Sequence, residues 1–333
     1  MKKTLILKND RVGDFITSIE TINLILNKHH KDKVYIFLSK INYKFNFMFK
    51  NLETRIFNYN LNFLEKLFIF FFIYKNNITD VYILAPKNFY YYLPFIFRKI
   101  KFHAICIDSN KSRPNSFLKK YLFTTSTIYK KDKSKVQSWY KVQENLLTST
   151  KKNKNFIKLD FKKFTKFDYP KNATYFHYKF NLFNEKLKWD LVNINKFILF
   201  LSSKRDYIVF SSELNSIKEN QYFIDNFNSY DFKFNIFTKK NNRNILFLNN
   251  IEGKDLFNMI YLSKEVIAPE SGITHIGSFL NKKTLALMHF NFKNKNEIFR
   301  QIIDCKEWAP RNFKFIILKR NFDQSILKII KRI

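Results

Sequence analysis

Glycine, proline and cysteine are scarce in this chain of 333 residues, which holds 4, 6 and 2 of them respectively. Cys106 and Cys305 lie far apart with no CxxC or Cys/His grouping, so neither a disulfide framework nor a structural zinc site has support, and buried, inert thiols are expected. Acidic residues are also few: 27 Asp and Glu face 60 Lys and Arg, leaving a formal net charge of +33. Yet no stretch is dense in Lys and Arg alone. The cations are interleaved with Asn, Phe and Ile, which is not the stripe or module signature of a nucleic-acid reader, so no specific nucleic-acid partner is expected. Long apolar runs are missing as well. The longest, Leu67 to Tyr74 (LFIFFFIY), is far short of the ~20 residues of a membrane-spanning helix, and reads as a buried helix or strand. Lys2 and Lys3 lead straight into the short segment Thr4 to Leu7 rather than a longer apolar region, so no cleavable signal is expected and the chain is placed in the cytoplasm.

What is present is enough to fold. With 46% hydrophobic and 26% charged residues the chain can offset its conformational entropy, and its length suits two domains better than one core. The abundance of Lys, Asn, Ile, Phe and Tyr beside so few Gly and Pro is the pattern of codons pushed toward A and T. The positive charge therefore has two readings: codon bias, or attraction to an anionic surface at the inner face of the cytoplasmic membrane.

The opening reads as strand, loop, helix: an apolar Thr4 to Leu7, a polar turn from Lys8 to Gly13, then apolar periodicity from Phe15 to Leu26. Strands are expected at 34–38, 81–84 and 103–107, with room for crossover helices between them, and a helix at 136–147. The second half repeats this grammar, with strands expected at 174–178, 207–210, 232–237, 266–268 and 284–288, and a closing amphipathic helix at 322–333. Two parallel α/β domains follow, over 1–165 and 166–333.

Ordinary usage would give roughly two dozen glycines, so the positions of Gly13, Gly253, Gly272 and Gly277 are informative. Gly13 sits in the turn between the first strand and its helix. Gly272 and Gly277 flank Thr274 and His275 at a second strand-to-helix turn, while Gly253 suits an ordinary tight turn. Both clusters fall where α/β sheets bind ligands, and the second would aim a helix N-terminus at an anion such as a diphosphate. Neither fits GxGxxG or GxxxxGK[ST], so a dinucleotide-dependent oxidoreductase or a P-loop nucleotidase lacks motif support.

The segment Ile6-Leu7-Lys8-Asn9-Asp10-Arg11-Val12-Gly13-Asp14-Phe15-Ile16 resembles the opening strand and "GD" loop of glycosyltransferase family nine, the family of the ADP-heptose:lipopolysaccharide heptosyltransferases. Val266 to Phe279, which contains Pro269-Glu270-Ser271-Gly272-Ile273-Thr274-His275, is similar to that family's Asp-Ser/Thr-Gly-x-x-His donor-binding turn, with Glu270 where the family usually has Asp. Lys188-Trp189, after the strand ending at His177, is similar to an interdomain region whose Lys contacts the donor phosphate. The resemblance implies a GT-B fold, two Rossmann-like domains facing across an interdomain cleft, and metal-independent, inverting sugar transfer with no cofactor. It implies Asp14 as the catalytic base; Glu270, Ser271, Gly272, Thr274, His275 and Lys188 around the donor; and Arg11 and Gly13 on the acceptor-side loop. The expected partners are a nucleotide-diphosphate sugar, ADP-heptose first, and a lipid-linked anionic glycan acceptor.

Two readings compete. A transferase of the same fold could build another glycan from another sugar nucleotide, or a non-catalytic protein could bind a sugar nucleotide or an anionic surface. Lys8 and Arg11 are loop cations that face an anionic acceptor or solvent, and the remaining histidines, His29, His30, His103, His177 and His289, carry no functional claim.

Overall fold

A computed structural model describes residues 2–49, 52–108, 122–130, 138–147, 169–170, 172–213, 216–240, 244–251, 253–289 and 313–318. The chain divides into two compact units, Met1–Leu159 with Ile302–Trp308, and Asp160–Gln301 with Ala309–Ile333. The expected boundary at 165, Cys305 and the closing helix at 322–333 lie outside the described residues.

The first unit is built on a six-stranded parallel sheet ordered β3-β2-β1-β4-β5-β6. Its strands are β1 (Lys3–Lys8), β2 (Lys33–Ser39), β3 (Glu53–Phe57), β4 (Asp80–Ile83), β5 (Lys101–Asp108) and β6 (Thr125–Lys130). Leu5 of β1 lies opposite Tyr35 and Val81, in the middle of the sheet. Central parallel strands are covered on both faces, which is why β1 and β2 read as near-continuous apolar runs rather than alternating ones. The helices are α1 (Val12–Thr17), α2 (Ile19–Lys28), α3 (Lys40–Tyr43), α4 (Phe63–Lys75), α5 (Asn88–Ile96) and α6 (Trp139–Glu144). Leu5, Leu7, Phe37, Val81 and Ile83 share a core with Ile69, Phe72 and Ile73 of α4 and with Tyr90, Tyr91 and Leu93 of α5, so these two helices cover one sheet face. Cys106 is buried in β5.

The second unit holds an eight-stranded sheet ordered β10-β9-β11-β8-β7-β12-β13-β14, parallel except for β10 against β9. The strands are β7 (Thr174–His177), β8 (Ile208–Ser211), β9 (Asn228–Asp231), β10 (Ile236–Thr238), β11 (Ile245–Asn249), β12 (Glu265–Pro269), β13 (Lys283–Met288) and β14 (Phe313–Ile317). Its helices are α7 (Leu191–Ser203), α8 (Ile217–Asn226), α9 (Gly253–Leu262) and α10 (Gly272–Phe279), with a π-helical segment at Asn181–Lys186. Phenylalanine fills this core by edge-on and tilted ring contacts: the Phe210 ring lies edge-on to Phe223 at 5.2 Å and to Phe227 at 5.4 Å, and tilted against Phe247 at 5.0 Å. Each such pair adds about 0.5–1.5 kcal/mol beyond area burial.

Three sequence expectations are corrected. The run Leu67 to Tyr74 is helical within α4, but it is not buried: only Ile69, Phe72 and Ile73 face the core, while Leu67, Phe68, Phe71 and Tyr74 are exposed. The helix expected from Phe15 to Leu26 is two helices, because the Ser18 hydroxyl turns back to the Asp14 carbonyl at 2.9 Å and α1 ends there. The strand expected at 232–237 is strand only from Ile236, where β10 begins; 232–235 are the bend of a hairpin. Asp231 accepts the amides of Lys233 and Phe234 at 2.8 and 3.0 Å, and Asn235 turns the chain at φ 58°.

A Cβ at Gly277 would stand 2.7 Å from the Thr284 hydroxyl and 3.1 Å from a Val266 methyl, so α10 lies directly against β12 and β13. The Thr284 hydroxyl is held to the Lys282 carbonyl at 3.0 Å and cannot swing away freely. Gly277→Ala is expected to lower stability by about 1–3 kcal/mol in denaturant unfolding, and adding Thr284→Ala should recover most of it. Equal losses in the single and double variants would refute the contact.

Candidate functional site

In a doubly wound sheet the ligand crevice opens where strand order reverses, beyond the carboxyl ends of the two strands that flank the reversal. In the first unit those strands are β1 and β4, ending at Lys8 and Ile83; in the second they are β7 and β12, ending at His177 and Pro269. The two glycine-bearing turns singled out in the sequence follow β1 and β12.

The turn after β1 is held rigidly. The Ser39 hydroxyl and the Asn42 amide donate to the Asp10 carbonyl at 2.8 and 2.9 Å. The Asn9 amide donates to the Asn58 carbonyl at 2.9 Å, and the Tyr90 hydroxyl donates to Asn9 Oδ1 at 2.6 Å. Lys8 is not the loop cation the sequence suggested. It is the last residue of β1, fully buried, paired with Asp10 at 2.6 Å and bonded to the Leu84 carbonyl at 3.2 Å. Burial pushes the Asp10 carboxyl up to about 6; Lys8 opposes the shift and the negative charge of Asp14 adds to it. The polar turn is thus an internal network that fixes the start of α1.

Asp14 lies in the first turn of α1 and is partly exposed, with Gly13 before it. The Asp14 carbonyl accepts the hydroxyls of Thr17 and Ser18 at 2.8 and 2.9 Å. Gln143 of α6, buried, bonds the Ser18 hydroxyl and donates to the Thr17 carbonyl at 3.1 Å, so the end of α1 is pinned from a helix distant in sequence. Arg11, exposed, sits over the Tyr59 ring at 5.8 Å, and Lys87, just after β4, sits over the same ring at 4.4 Å. Sequence reasoning does not single out Asp10, Lys87 or Gln143. Only the neighbouring GD turn hints at Asp10, and nothing local marks the other two.

In the second unit, Ser271 caps α10. Its hydroxyl accepts the Ile273 amide at 3.3 Å, and Thr274 Oγ1 reciprocates toward the Ser271 amide at 3.3 Å while donating to the Ser271 carbonyl at 2.7 Å. This capping box sets the helix entry, and the positive end of the α10 dipole opens at the strand terminus. Thr274 is fully buried and its hydroxyl belongs to the cap; Ser271 and Gly272 are partly exposed, and Glu270 is exposed. His275 is buried, and burial pushes its imidazole down to about 4, so it is neutral near pH 7. At the end of the adjacent strand, His177 Nδ1 lies 3.0 Å from the Ser211 hydroxyl, and burial with the nearby Lys179 drives this ring down to about 3. Lys188 is exposed between buried Leu187 and Trp189, with its backbone in the left-handed region at φ 58°. A non-glycine residue held there marks a conformation imposed by its surroundings.

The architecture is of the GT-B type, shared by glycosyltransferases and sugar-nucleotide epimerases. The chain is similar to the E. coli ADP-heptose lps heptosyltransferase II, at 11% identity and a TM-score of 0.63 over 100% of this chain and 96% of that one. It is similar to the glycosyl transferase family 9 structure from Veillonella parvula DSM 2008, at 13% identity and a TM-score of 0.64 over 100% and 90%. The UDP-GlcNAc 2-epimerase of Methanocaldococcus jannaschii also matches, at 11% identity and a TM-score of 0.54 over 100% and 92%. No family model and no curated protein matches the chain in sequence.

Proposed function

We propose that the protein is an inverting, metal-independent glycosyltransferase that moves a sugar, heptose first among candidates, from a nucleotide-diphosphate donor to a lipid-linked anionic glycan. The observation that carries this reading is the placement of both sequence motifs at the two strand-order reversals: an acid in the first helix of one unit, a capped helix N-terminus in the other. The similarity to heptosyltransferases supports the same reading.

In this reaction the Asp14 carboxylate takes the proton of an acceptor hydroxyl, the acceptor oxygen bonds to the anomeric carbon, and the bond to the diphosphate oxygen breaks with its electron pair. The leaving diphosphate carries the new charge to the N-terminus of α10, where helix dipole and backbone amides stabilise it, aided by Lys188. A carboxylate repels diphosphate, so Glu270 is assigned to donor hydroxyls instead. Neutral His275 and Thr274 hold the turn in shape, Ser271 and Gly272 leave room for the phosphates, and Arg11 beside Gly13 faces the anionic acceptor. The first unit is the acceptor side and the second the donor side.

Calorimetric titration with ADP-, GDP- and UDP-sugars in EDTA tests the donor site. One sugar nucleotide is expected to bind, and Gly272→Val, with unchanged circular dichroism, is expected to weaken it at least about tenfold by filling the phosphate approach. No binding to any donor, or equal binding in the variant, would sink the proposal. Epimerisation of UDP-GlcNAc without acceptor would move the protein to the epimerase reading.

A further inference from the structure

We propose that the outward face of α4 and α5, with the groove beside β3, docks on an anionic lipid surface. The 13 residues of α4 include only Glu65, Lys66 and Lys75 as charged side chains, and the helix is apolar on both sides. Ile69, Phe72 and Ile73 take the core side. The opposite side carries Phe63, Leu64, Leu67, Phe71 and Tyr74 in one stripe, exposed by 70%, 73%, 37%, 59% and 73%. A helix apolar all round is suited to being covered on both sides, and a contiguous exposed stripe is unlike the scattered apolar residues of an ordinary surface.

Helix α5 extends the patch. Tyr92, Phe95 and Ile96 are exposed at helical spacing while Tyr90, Tyr91 and Leu93 enter the shared core. The Phe70 and Phe97 rings meet at 5.0 Å, which joins the two helices side by side. Beside them runs an open groove of about 600 Å³ whose lining includes Arg55, Ile56, Phe57, Leu64 and Phe68.

Charge selects the occupant. From Phe63 to Lys101 the chain carries Lys66, Lys75, Lys87, Arg98, Lys99 and Lys101 against only Glu65 and Asp80. Glu65 is consumed by the cap of α4, accepting the amides of Asn58 and Asn62 at 2.7 and 2.9 Å. Asp80 sits 3.6 Å from His103. Lys87 is turned to the Tyr59 ring, but Lys75 ends α4 and Arg98 and Lys99 follow α5, all three exposed, and aromatic and aliphatic side chains beside such cations match the boundary between anionic headgroups and acyl chains. A second copy of the chain fits poorly, because an isologous contact sets this patch against itself, so that Lys75, Arg98 and Lys99 of each copy enter an interface carrying the same cations from the other. No helix among the described residues is long and apolar enough to cross a membrane, so the contact is one of lying on the surface. This inference rests on the exposed face alone and not on the transfer reaction.

Sedimentation of the full chain with phosphatidylcholine vesicles, with and without phosphatidylglycerol, tests it. The wild type should pellet with the anionic vesicles. Leu64→Ser/Phe71→Ser, two exposed positions, should lower partition by roughly tenfold or more, and Arg98→Gln/Lys99→Gln by roughly fivefold per charge. Unchanged melting temperatures and unchanged sugar-nucleotide binding in solution confirm that the variants are folded. Partition undiminished in the serine variant would overturn the proposal, since the overall charge alone then explains binding. A wild-type dimer that the serine variant turns into monomer would overturn it in favour of a second copy.

Discussion

Asp14→Asn is expected to lower turnover by about 10²- to 10⁴-fold while leaving donor affinity and fold intact. The geometry makes this a clean substitution. The hydrogen bonds recorded at this residue run through its backbone carbonyl, to the hydroxyls of Thr17 and Ser18, and survive the change. The side chain is partly exposed in the first turn of α1, where its structural worth is the favourable meeting of a carboxylate with the helix dipole, about 0.3–1 kcal/mol. A residue kept only for that purpose would change unfolding by under about 1 kcal/mol and leave the reaction untouched. A residue that accepts the acceptor's proton would do the reverse, with a large loss of rate and a small loss of stability. The measurement is release of nucleoside diphosphate from the bound donor, with a bacterial membrane glycolipid extract as acceptor, beside a denaturant titration. Turnover within about threefold of wild type would remove Asp14 from the chemistry while leaving the donor site to be judged separately.

The parts of the fold legible in the sequence are those where physics leaves few choices. Strands β1, β2, β4, β5, β7, β8, β12 and β13 are covered on both faces, and their apolar runs announce them. Strand β3 escapes a sequence reading because ETRIF is mostly exposed at the sheet edge and carries charge, and β6 and β14 because their neighbours in the sequence are polar. The turns are harder, for a reason specific to this composition. With only four glycines, the left-handed positions other than Lys188 fall mostly to asparagine: Asn77, Asn172, Asn235, Asn250 and Asn281 have positive φ, while Gly253 alone among the described glycines does. Asparagine tolerates that region because its short polar side chain bonds locally. In a chain crowded with asparagine the signal does not stand out, so the strand expected at 232–237 runs through the bend between β9 and β10. The turn after β12 is legible because Ser271, Gly272 and Thr274 form a capping pattern that needs no distant partner. The network around Asp10 is not, since Ser39, Asn42 and Tyr90 arrive from elements far along the chain.

That network carries the other large effect. Lys8→Met is expected to lower stability by about 3–5 kcal/mol near pH 7, because it leaves the Asp10 carboxylate buried without its cation. The pH dependence identifies the cause. In the wild type the Asp10 carboxyl is raised from 3.8 to about 6, so between these values the folded state holds a proton that the unfolded state has released. Stability therefore falls as pH rises through that window and is level in this respect above it. Removing Lys8 takes away the attraction that opposes burial, so the carboxyl moves higher still and the fall continues past pH 6. The loss caused by Lys8→Met should thus grow from pH 6 to pH 8 and shrink toward pH 4, where Asp10 is protonated in both folded proteins. Adding Asp10→Asn removes the titrating group, which should flatten the profile and restore much of the loss, since the substituted amide is neutral and keeps the shape of the carboxylate beside the Asn42 side chain. Unfolding curves of the three proteins from pH 4 to pH 8 decide the matter. A loss that does not vary with pH would mean that Lys8 acts through the packing of its stem and not through its charge.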